Sequence, residues 1–315
     1  MNLNKKSKIF IAGHKGMVGS SIVRHFKRNG YKNLFLKEKK TLDLLNQKKT
    51  YSYLNKIKPD FVIIAAAKVG GIVANKEQKA KFIYENIMIQ TNLIHSSFLV
   101  GVKKLIFLGS SCIYPKYSKQ PIKEEYLMTG KLEETNDSYA VAKIAGYKMC
   151  EAYNDQYKTN YICLMPTNLY GPNDNYDLKT SHFFPALISK IYFAIKRGHK
   201  SITIWGDGSP KRELMYVDDL ADACEFFLKK KTKHSLINIG SGQEKTILKF
   251  FKFILKKLDA KLNIKFDKNK PNGTPRKKLN TDLAAKYGWK SSLDLNKGFN
   301  LAYNDFLNKI NHNRR

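Results

Sequence analysis

The stretch KIFIAGHKGMVGSSIVRHFKRNG, residues 8–30, decides the fold of this 315-residue chain. An apolar strand runs directly into a glycine turn, and the turn opens a helical pattern that Gly30 closes. Gly13, Gly16 and Gly19 lie in the turn with the spacing G-x-x-G-x-x-G. Glycines allow a tight turn and a close approach to a pyrophosphate, which then sits at the positive end of the helix. The stretch therefore predicts a dinucleotide site at the first strand–helix junction.

Strands and helices alternate through the first half of the chain. The segments 33–38 (NLFLKE), 60–67 (DFVIIAAA) and 103–111 (KKLIFLGSS) predict strands, the second of them buried on both faces. Long helical patterns occupy residues 81–101 and 138–157. Because strands and helices alternate with short connections, the sequence predicts an α/β fold with a parallel, doubly wound sheet.

The pattern loosens in the second half of the chain. Helices are predicted at 181–198 and 217–230, and a short strand and turn at 201–208. The segment SLINIGSG, residues 235–242, reads as a buried strand that returns to the main sheet. The second half therefore contributes to the main sheet and also to a smaller α/β lobe.

This reading divides the chain into two interleaved parts. Residues 1–172, with 213–245 returning to them, are predicted to form the dinucleotide-binding domain. Residues 173–212 and 246–315 are predicted to form the smaller substrate lobe. The cleft between the two parts is the expected ligand site.

The composition indicates an ordinary globular protein. Hydrophobic residues make up 43% of the chain, and no apolar run is long enough to span a bilayer. The N-terminal residues contain no cleavable apolar segment. Cys112, Cys150, Cys163 and Cys224 lack the paired spacing of a zinc site or a disulfide framework. We expect a cytoplasmic protein without a metal site or a membrane partner.

The formal charge of +31, from 57 basic against 26 acidic residues, calls for an explanation. Such a field attracts polyanions, so nucleic-acid binding is an alternative class of function. However, the lysines are spread along the whole chain, without a basic arm, an RNP-like pattern or a zinc finger. A lysine-rich surface that also favours anionic nucleotides is the preferred interpretation, with no specific nucleic-acid partner.

The end of the second predicted strand bears on the choice of cofactor. An acid about 20 residues after the glycines would bind a free ribose 2′-hydroxyl. Here Glu38 stands among Lys37, Lys39 and Lys40, and Lys15 adds a cation from the glycine loop. These lysines favour a 2′-phosphate, and hence NADP in its reduced form NADPH.

The segment SYAVAK places Tyr139 and Lys143 four residues apart, on one face of a helix. A nearby ammonium stabilises a phenolate, so we expect Lys143 to lower the pKa of Tyr139 and prepare it for proton exchange with a carbonyl oxygen. Ser110, at the end of a predicted strand, would donate a hydrogen bond to the same oxygen. The set predicts ketone reduction.

At this point the chain resembles the extended short-chain dehydrogenase/reductases, and within them the GDP-L-fucose synthase family. The resemblance covers nearly the whole chain and rests on the strings IAGHKGMVGSSIVR, AAAKVGGIVAN, FLGSSCIYP, QPIKEEYLMTGKLEETNDSYAVAKIAGYKMCEAYN, MPTNLYGPNDNY, SHFFPALISK, WGDGSPKRELMYVDDLADA and PNGTPRK. It implies a Rossmann-type fold, NADPH, a GDP-linked 4-keto-6-deoxy sugar as substrate, and a homodimer.

The resemblance also implies a second chemistry. The cysteine of GSSC and the histidine of the SH segment, here Cys112 and His182, match the acid/base pair that inverts C3 and C5. Both carbons flank the C4 ketone, so their protons are acidified, and inversion needs one group on each face. The implied reaction converts GDP-4-keto-6-deoxy-D-mannose to GDP-L-fucose. A dehydratase is disfavoured because Ser111 precedes Cys112 where dehydratases carry a Thr/Ser-Glu pair.

Two alternatives stay open. One is a reductase that acts only at C4, on a related sugar such as a GDP-heptose. The other is a non-catalytic scaffold, which the intact set Ser110, Tyr139 and Lys143 argues against.

The family pattern assigns further residues by position. Those implied in cofactor binding are Gly13, His14, Lys15, Gly16, Met17, Val18, Gly19, Lys39, Leu108, Ser110, Lys143, Pro166, Asn168, Leu169 and His182. Those implied in substrate binding are Asn168, Lys190, Trp205, Arg212 and Lys277.

The chain departs from the pattern at three places. Asn272 replaces a frequent acid, which weakens guanine selectivity, and Lys190 replaces a frequent arginine, which removes a forked contact. Phe183 and Phe184 stand beside His182 in place of smaller aliphatic residues, where they could reshape the sugar pocket.

Overall fold

The computed structural model describes residues 3–178, 180–269 and 274–312. The strands in these residues are β1 (Ile9–Ala12), β2 (Leu34–Phe35), β3 (Phe61–Ile64), β4 (Lys104–Leu108), β5 (Tyr161–Pro166), β6 (Asn168–Tyr170), β7 (Ser201–Trp205), β8 (Lys211–Tyr216), β9 (Leu236–Ile239), β10 (Glu244–Thr246), β11 (Asn263–Asp267) and β12 (Arg276–Lys277). The α-helices are α1 (Met17–Arg28), α2 (Gln47–Ile57), α3 (Ile72–Glu77), α4 (Lys79–Leu99), α5 (Asp137–Tyr157), α6 (Phe183–Lys196), α7 (Val217–Lys229), α8 (Ile247–Lys257), α9 (Asp282–Tyr287) and α10 (Leu295–His312). Short 3-10 helices span Ser111–Ile113 and Glu124–Tyr126.

The main sheet has six strands in the order β2-β1-β3-β4-β5-β9, and every neighbouring pair is parallel. The predicted doubly wound parallel sheet is thus confirmed, including the return of residues 236–239 to its edge as β9. From β1 the chain passes to β2 on one side, and it then returns past β1 to β3 on the other side. Ligands of such sheets bind at the carboxyl ends of the strands near this reversal, where the glycine turn lies.

Helices cover both faces of the main sheet, which explains the continuous apolar strands. On one face, Ile22 and Phe26 of α1 pack with Phe227 of α7 and with the strands. On the other face, Leu54 of α2 and Leu93 of α4 pack with strand residues that point the opposite way. Strands buried on both faces cannot alternate apolar and polar residues, so β3 and β4 are buried along their whole length.

Strand β2 is shorter than predicted. It ends at Phe35, whereas the sequence pattern predicted a strand through Glu38. The backbone N–H groups of Thr41 and Leu42 donate to the Glu38 carbonyl, so the chain turns there. Among the described residues, β2 is the edge strand and pairs with β1 alone, so no second neighbour extends its ladder.

The smaller sheets belong to the second half of the chain. Strand β8 is the centre of a four-stranded sheet in which β6 and β12 run parallel to it and β10 antiparallel. A separate parallel pair joins β7 and β11. A third hydrophobic cluster, containing Phe184, Phe250 and Phe299, covers this region. The predicted domain boundaries at residues 172, 213 and 245 stay a prediction.

Two kinds of feature are absent from the described residues. None of their helices combines the length and the apolar character needed to cross a bilayer. No group of three or more His, Cys, Asp or Glu side chains among them is arranged to hold a metal ion.

Candidate active site

The glycine turn after β1 is shaped by close backbone contacts. Gly13 has φ +85°, and a β-carbon there would lie 2.6 Å from the Ala66 backbone nitrogen. A β-carbon on Gly19 would lie 2.0 Å from the Gly13 carbonyl oxygen. At Gly16 the nearest atom would be 3.6 Å away, which is an ordinary contact. Packing therefore requires Gly13 and Gly19, whereas Gly16 could carry a β-carbon without a clash.

The N-terminus of α1 is uncapped and suited to an anion. Gly16 is its N-cap, and no side chain accepts a hydrogen bond from the first turn, which also contains no acid. The N–H groups of Met17 and Val18 have no acceptor within the helix, so this end carries partial positive charge. The Nδ1 atom of His14 is buried without a hydrogen-bond partner among the described residues. These features fit the pyrophosphate of a dinucleotide.

The lysines near β2 surround one carboxylate. Lys15 Nζ lies 2.7 Å from Glu38 Oε1, and Lys40 Nζ lies 3.5 Å from Glu38 Oε2. The hydrogen bond from Lys15, with further help from Lys40, lowers the pKa of Glu38. Lys39 is exposed beside them. Both oxygens of Glu38 face ammonium groups, so the net charge at this end of the cleft is positive. A positive charge here is what binding of the 2′-phosphate of NADP requires.

Ser110 lies just past the end of β4 and connects two reactive side chains. It is the N-cap of the 3-10 helix Ser111–Ile113, and its hydroxyl accepts from the Cys112 backbone N–H at 3.4 Å. The Cys112 thiol donates to the same Oγ at 3.1 Å. Ser110 also shares a hydrogen bond with the Tyr139 phenol. The strand end therefore gathers a hydroxyl, a thiol and a phenol around one point.

Tyr139 and Lys143 lie on α5 as predicted, but their electrostatics differ from the expectation. Burial raises the pKa of Tyr139, the Cys112 thiol adds to the rise, and the Ser110 hydrogen bond only partly opposes it. Lys143 Nζ donates to the Leu108 carbonyl at 2.9 Å and lies 5.8 Å from the centre of the Tyr139 ring. The expected lowering of the Tyr139 pKa is therefore wrong, because desolvation outweighs an ammonium that is bonded elsewhere.

Burial also changes the pKa of Lys143 itself. It lowers that pKa to about 8, and the Cys163 and Cys112 thiols oppose the change. Lys143 is 3% exposed and has a carbonyl partner, so its ammonium form persists at pH 7.

His182 reaches the cleft from the other lobe. It is the N-cap of α6, yet its side chain makes no capping hydrogen bond. The side chain of His182 is partly exposed, yet the atoms packed around its ring desolvate it, and this desolvation, followed by the charge of Lys277, lowers the pKa of His182. Burial lowers the pKa of Lys277, and its ammonium also interacts electrostatically with Cys112. The Lys277 ammonium thus interacts electrostatically with both Cys112 and His182. The side chains of Cys112 and His182 have no direct hydrogen bond with each other among the described contacts.

The predicted substrate residues lie in two places. Arg212 and Lys277 are register partners on β8 and β12, and Arg212 Nη1 donates to the Thr274 carbonyl at 2.7 Å. Lys190 donates to the Thr203 carbonyl, and Trp205 is 58% exposed at the end of β7.

The remaining predicted contact residues follow the strand ends. Asn168 Nδ2 donates to the Glu213 carbonyl at 3.0 Å, which ties β6 to β8. Leu108 and Pro166 end the neighbouring strands β4 and β5, and Leu169 lies in β6.

Two departures from the family pattern have different outcomes. Phe184 is 1% exposed, and its ring centre lies 4.9 Å from that of Tyr170 and 5.7 Å from that of Phe250, inside the third cluster. Phe183 also packs against Phe250, at 5.8 Å. Phe184 therefore belongs to the third cluster, whereas Phe183 is half-buried and packs on its edge, so the expected reshaping of the sugar pocket stays a prediction. Asn272 lies outside the described residues.

Sequence reasoning missed Glu213. Its carboxylate is fully buried and accepts the N–H groups of Gly242, at 2.7 Å, and Leu279, at 2.9 Å. Burial raises the pKa of Glu213, and these hydrogen bonds oppose the change. A β-carbon on Gly240 would lie 2.4 Å from its Oε1. The sequence signal for Glu213 is an acidic residue in the otherwise apolar half of a strand. Only the fold shows that its carboxylate joins β8, which also carries Arg212, to the segments at Gly242 and Leu279.

The glycine turn at the reversal of a parallel sheet, with Ser110, Tyr139 and Lys143 at a neighbouring strand end, defines a dinucleotide-dependent enzyme of the short-chain dehydrogenase type. The sequence model of the NAD dependent epimerase/dehydratase family matches residues 9–240, and the chain belongs to this family. The resemblance expected from the sequence is confirmed by a relative, GDP-L-fucose synthase 1 of Arabidopsis thaliana. It is 48% identical over 307 residues, which are 98% of this chain and 95% of the relative.

Solved structures share the whole fold. A GDP-6-OMe-4-keto-L-xylo-heptose reductase of Campylobacter jejuni has a TM-score of 0.91 at 35% identity, covering 98% of this chain and 100% of its own. A GDP-mannoheptose C4 reductase of Campylobacter jejuni, solved with NADP bound, has a TM-score of 0.88 at 37% identity, covering 96% of this chain and 99% of its own.

Proposed function

We propose that this protein converts GDP-4-keto-6-deoxy-D-mannose to GDP-L-fucose, by epimerisation at C3 and C5 followed by reduction at C4 with NADPH. The observation that carries the proposal is the Ser110 hydroxyl, which holds the Cys112 thiol at 3.1 Å and also bonds the Tyr139 phenol. Reduction of a ketone needs the two hydroxyl groups but no thiol. A thiol beside the groups that bind the ketone oxygen is placed for proton transfer at the neighbouring carbons.

The residues would divide the epimerisation between them. Ser110 and Tyr139 donate to the C4 oxygen and stabilise the negative charge that develops there when a proton leaves C3 or C5. Cys112 and His182 come from different lobes, so one can remove the proton and the other deliver it to the opposite face. The lowered pKa of His182 keeps its imidazole neutral near pH 7, in a form that can accept a proton.

The reduction would use the same oxygen-binding groups. NADPH, when bound, supplies the hydride to C4. Tyr139 donates its proton to the C4 oxygen, and its raised pKa ensures that the phenol is protonated beforehand. The Lys143 ammonium, fixed by the Leu108 carbonyl, then lies close enough to stabilise the phenolate left behind.

The chain offers a fitted set of groups for that cofactor. The uncapped N–H groups of Met17 and Val18, at the N-terminus of α1, would bind the pyrophosphate. Lys15 and Lys39 would contact the 2′-phosphate, with Lys15 released from Glu38. On the substrate side, Arg212 and Lys277 would bind the diphosphate, and Trp205 would stack on the guanine.

The test is turnover in deuterium oxide. We expect the enzyme, given GDP-4-keto-6-deoxy-D-mannose and NADPH, to yield GDP-L-fucose that carries deuterium at C3 and C5, as read by NMR. A product without deuterium at both carbons, in which the D configuration is retained, would overturn the proposal.

The second candidate is reduction at C4 alone, on a GDP-linked 4-keto heptose. It is favoured by the heptose reductases among the similar structures. Competition between the hexose and a heptose ketone, measured as kcat/KM, distinguishes the two candidates.

We also propose a cytoplasmic homodimer. Exposed apolar side chains on the paired helices α4 and α5, among them Tyr84, Leu99 and Tyr157, support an interface between copies. The four cysteines are free thiols, which suits a reducing compartment. Sedimentation analysis at several concentrations tests the dimer.

A further inference from the structure

The loop that follows β3 is fixed within the dinucleotide-binding part by two buried asparagines. Asn86 accepts from the Lys68 backbone N–H and donates to the Lys68 carbonyl, both at 3.0 Å. Asn75 donates to the carbonyls of Gly70, at 2.8 Å, and Gly71, at 3.0 Å. These four hydrogen bonds from buried side chains fix the backbone of the loop, so the loop can set the position of a segment that packs against it.

What packs on it is the backbone that leads into His182. The Gly71 N–H donates to the Thr180 carbonyl at 2.9 Å. A β-carbon on Gly71 would lie 2.9 Å from the Ser181 carbonyl oxygen and 3.2 Å from that of Thr180. The Gly71 backbone, with φ −68°, is one that any residue adopts. The need for glycine here therefore comes from the contact and not from the local conformation.

The backbone before His182 is itself cross-linked. The Asp177 carboxylate accepts from Thr180 N at 2.9 Å and from Thr180 Oγ1 at 2.8 Å. Asn175 Nδ2 donates to the same hydroxyl at 2.9 Å, and Ser181 N donates to the Asp177 carbonyl at 2.9 Å. Because these hydrogen bonds hold Thr180 in the loop, a displacement of the Thr180 and Ser181 backbone also displaces His182, which is the next residue and the N-cap of α6.

We propose that Gly71 is a positioning residue for epimerisation, which sets the distance from His182 to the substrate carbons by direct backbone contact with Thr180 and Ser181. The inference rests on the proposed function, in which His182 exchanges a proton with C3 and C5. The hydrogen bonds that hold Ser110 and Lys143 do not involve Gly71, and Tyr139 meets the neighbourhood of this loop only through an edge contact with the Phe82 ring, at 6.4 Å. A change at Gly71 should therefore affect one half of the reaction and spare the other.

Gly71→Ala tests this with a single methyl group. We expect uptake of solvent deuterium at C3 and C5 to fall about tenfold, since small displacements of a reacting group from productive geometry cost rate steeply. Hydride transfer to a ketone already in the L configuration, followed by NADPH absorbance, should stay within about twofold of wild type. Gly130→Ala is the matched control, because a β-carbon there would make an ordinary 3.4 Å contact with Pro115. Both rates should be unchanged in it.

Asn75→Ala perturbs the same contact without adding bulk. It removes the two hydrogen bonds to Gly70 and Gly71, and it should reduce deuterium uptake selectively if the loop acts as a reference for His182. This variant decides the question if Gly71→Ala melts far below wild type or loses NADPH binding.

The outcomes separate the two proposals. Equal deuterium uptake in wild type and both variants would overturn the positioning role while leaving the proposed function intact. Parallel loss of both half-reactions would also overturn it, because that is the mark of a merely structural residue. No uptake by the wild-type enzyme would overturn the proposed epimerisation and the positioning role with it.

Discussion

The reduction centre and the His182 side of the cleft are built in different ways. Ser110, Tyr139 and Lys143 come from β4 and the adjacent helix α5, and hydrogen bonds at the end of one strand hold them. His182 is the residue just before helix α6, and backbone contacts between two loops set its position. Lys277 lies in the two-residue strand β12, which pairs with β8 of the smaller sheet. The reduction geometry therefore depends on the packing of one sheet, whereas the epimerisation geometry depends on how two parts of the chain meet.

This difference explains how one fold can serve related reactions. The similar proteins include a fucose synthase and C4 reductases of heptoses. Changes in loops of the second part can alter proton transfer at C3 and C5 without disturbing the sheet that carries the reduction centre. The following predictions test whether the two regions are as independent as their contacts indicate.

The largest effect is expected from Tyr139→Phe. Loss of the proton donor should reduce NADPH-dependent reduction by about a thousandfold, within the usual range for general acid catalysis. Deuterium uptake should persist at a reduced rate, because Ser110 still binds the ketone oxygen. Tyr147→Phe is the control on the same helix, since its hydroxyl bonds Glu151 and not the site. Near-normal reduction by Tyr139→Phe would contradict the assignment.

A smaller effect, on epimerisation and not on reduction, is expected from Cys112→Ser. Deuterium uptake should fall about a hundredfold, because a serine hydroxyl exchanges protons poorly at neutral pH. Reduction of a ketone already in the L configuration should be nearly unchanged. Cys150→Ser, at a buried thiol elsewhere on α5, controls for the loss of a sulfur atom. If reduction and exchange fell together, the two regions would not be separable.

The pH dependence should distinguish the regions as well. Burial lowers the pKa of Lys143 to about 8, so its ammonium form is complete well below pH 8 and is lost as the pH rises through that value. If the ammonium stabilises the Tyr139 phenolate, single-turnover hydride transfer should fall about tenfold by one unit above that pKa. Lys143→Arg should move the decline to higher pH, because guanidinium keeps its proton. A flat profile through pH 9 would contradict this role of Lys143.

The smallest effect is expected from Glu213→Gln. The amide retains one acceptor for two backbone N–H groups, so the tie to either Gly242 or Leu279 is lost. KM for the nucleotide sugar should rise about fivefold, with kcat and the affinity for NADPH unchanged. Glu225→Gln is the control, since that buried carboxylate bonds His25, Asn29 and Tyr31 and none of the three segments that Glu213 joins. An unchanged KM would show that Glu213 does not position the substrate strands.

Much of the reduction centre could be predicted because its signals are local. Helical spacing places Tyr139 and Lys143 on one face, and a strand end presents Ser110, whatever the rest of the chain does. The direction of the Tyr139 pKa shift could not be predicted in this way. It depends on how many atoms surround the phenol and on Lys143 bonding the Leu108 carbonyl, which are properties of packing.

Glu213 and Gly71 show the opposite case. An acid in a strand and a glycine after a strand carry no unambiguous signal, because each is also common on a surface or in a turn. Their roles become visible only when residues distant in sequence, such as Leu279 and Thr180, are seen against them.

The sequence by itself determined the doubly wound sheet, the glycine turn and the placing of Ser110, Tyr139 and Lys143, the proposed reduction centre, since hydrophobic periodicity and short-range spacing act within one or two elements. Only the tertiary structure decided the electrostatics of Tyr139, the burial of Phe184 in the third hydrophobic cluster, and the contacts that place His182. Those features arise from desolvation and from backbone contacts across the fold, and both depend on which distant segments meet.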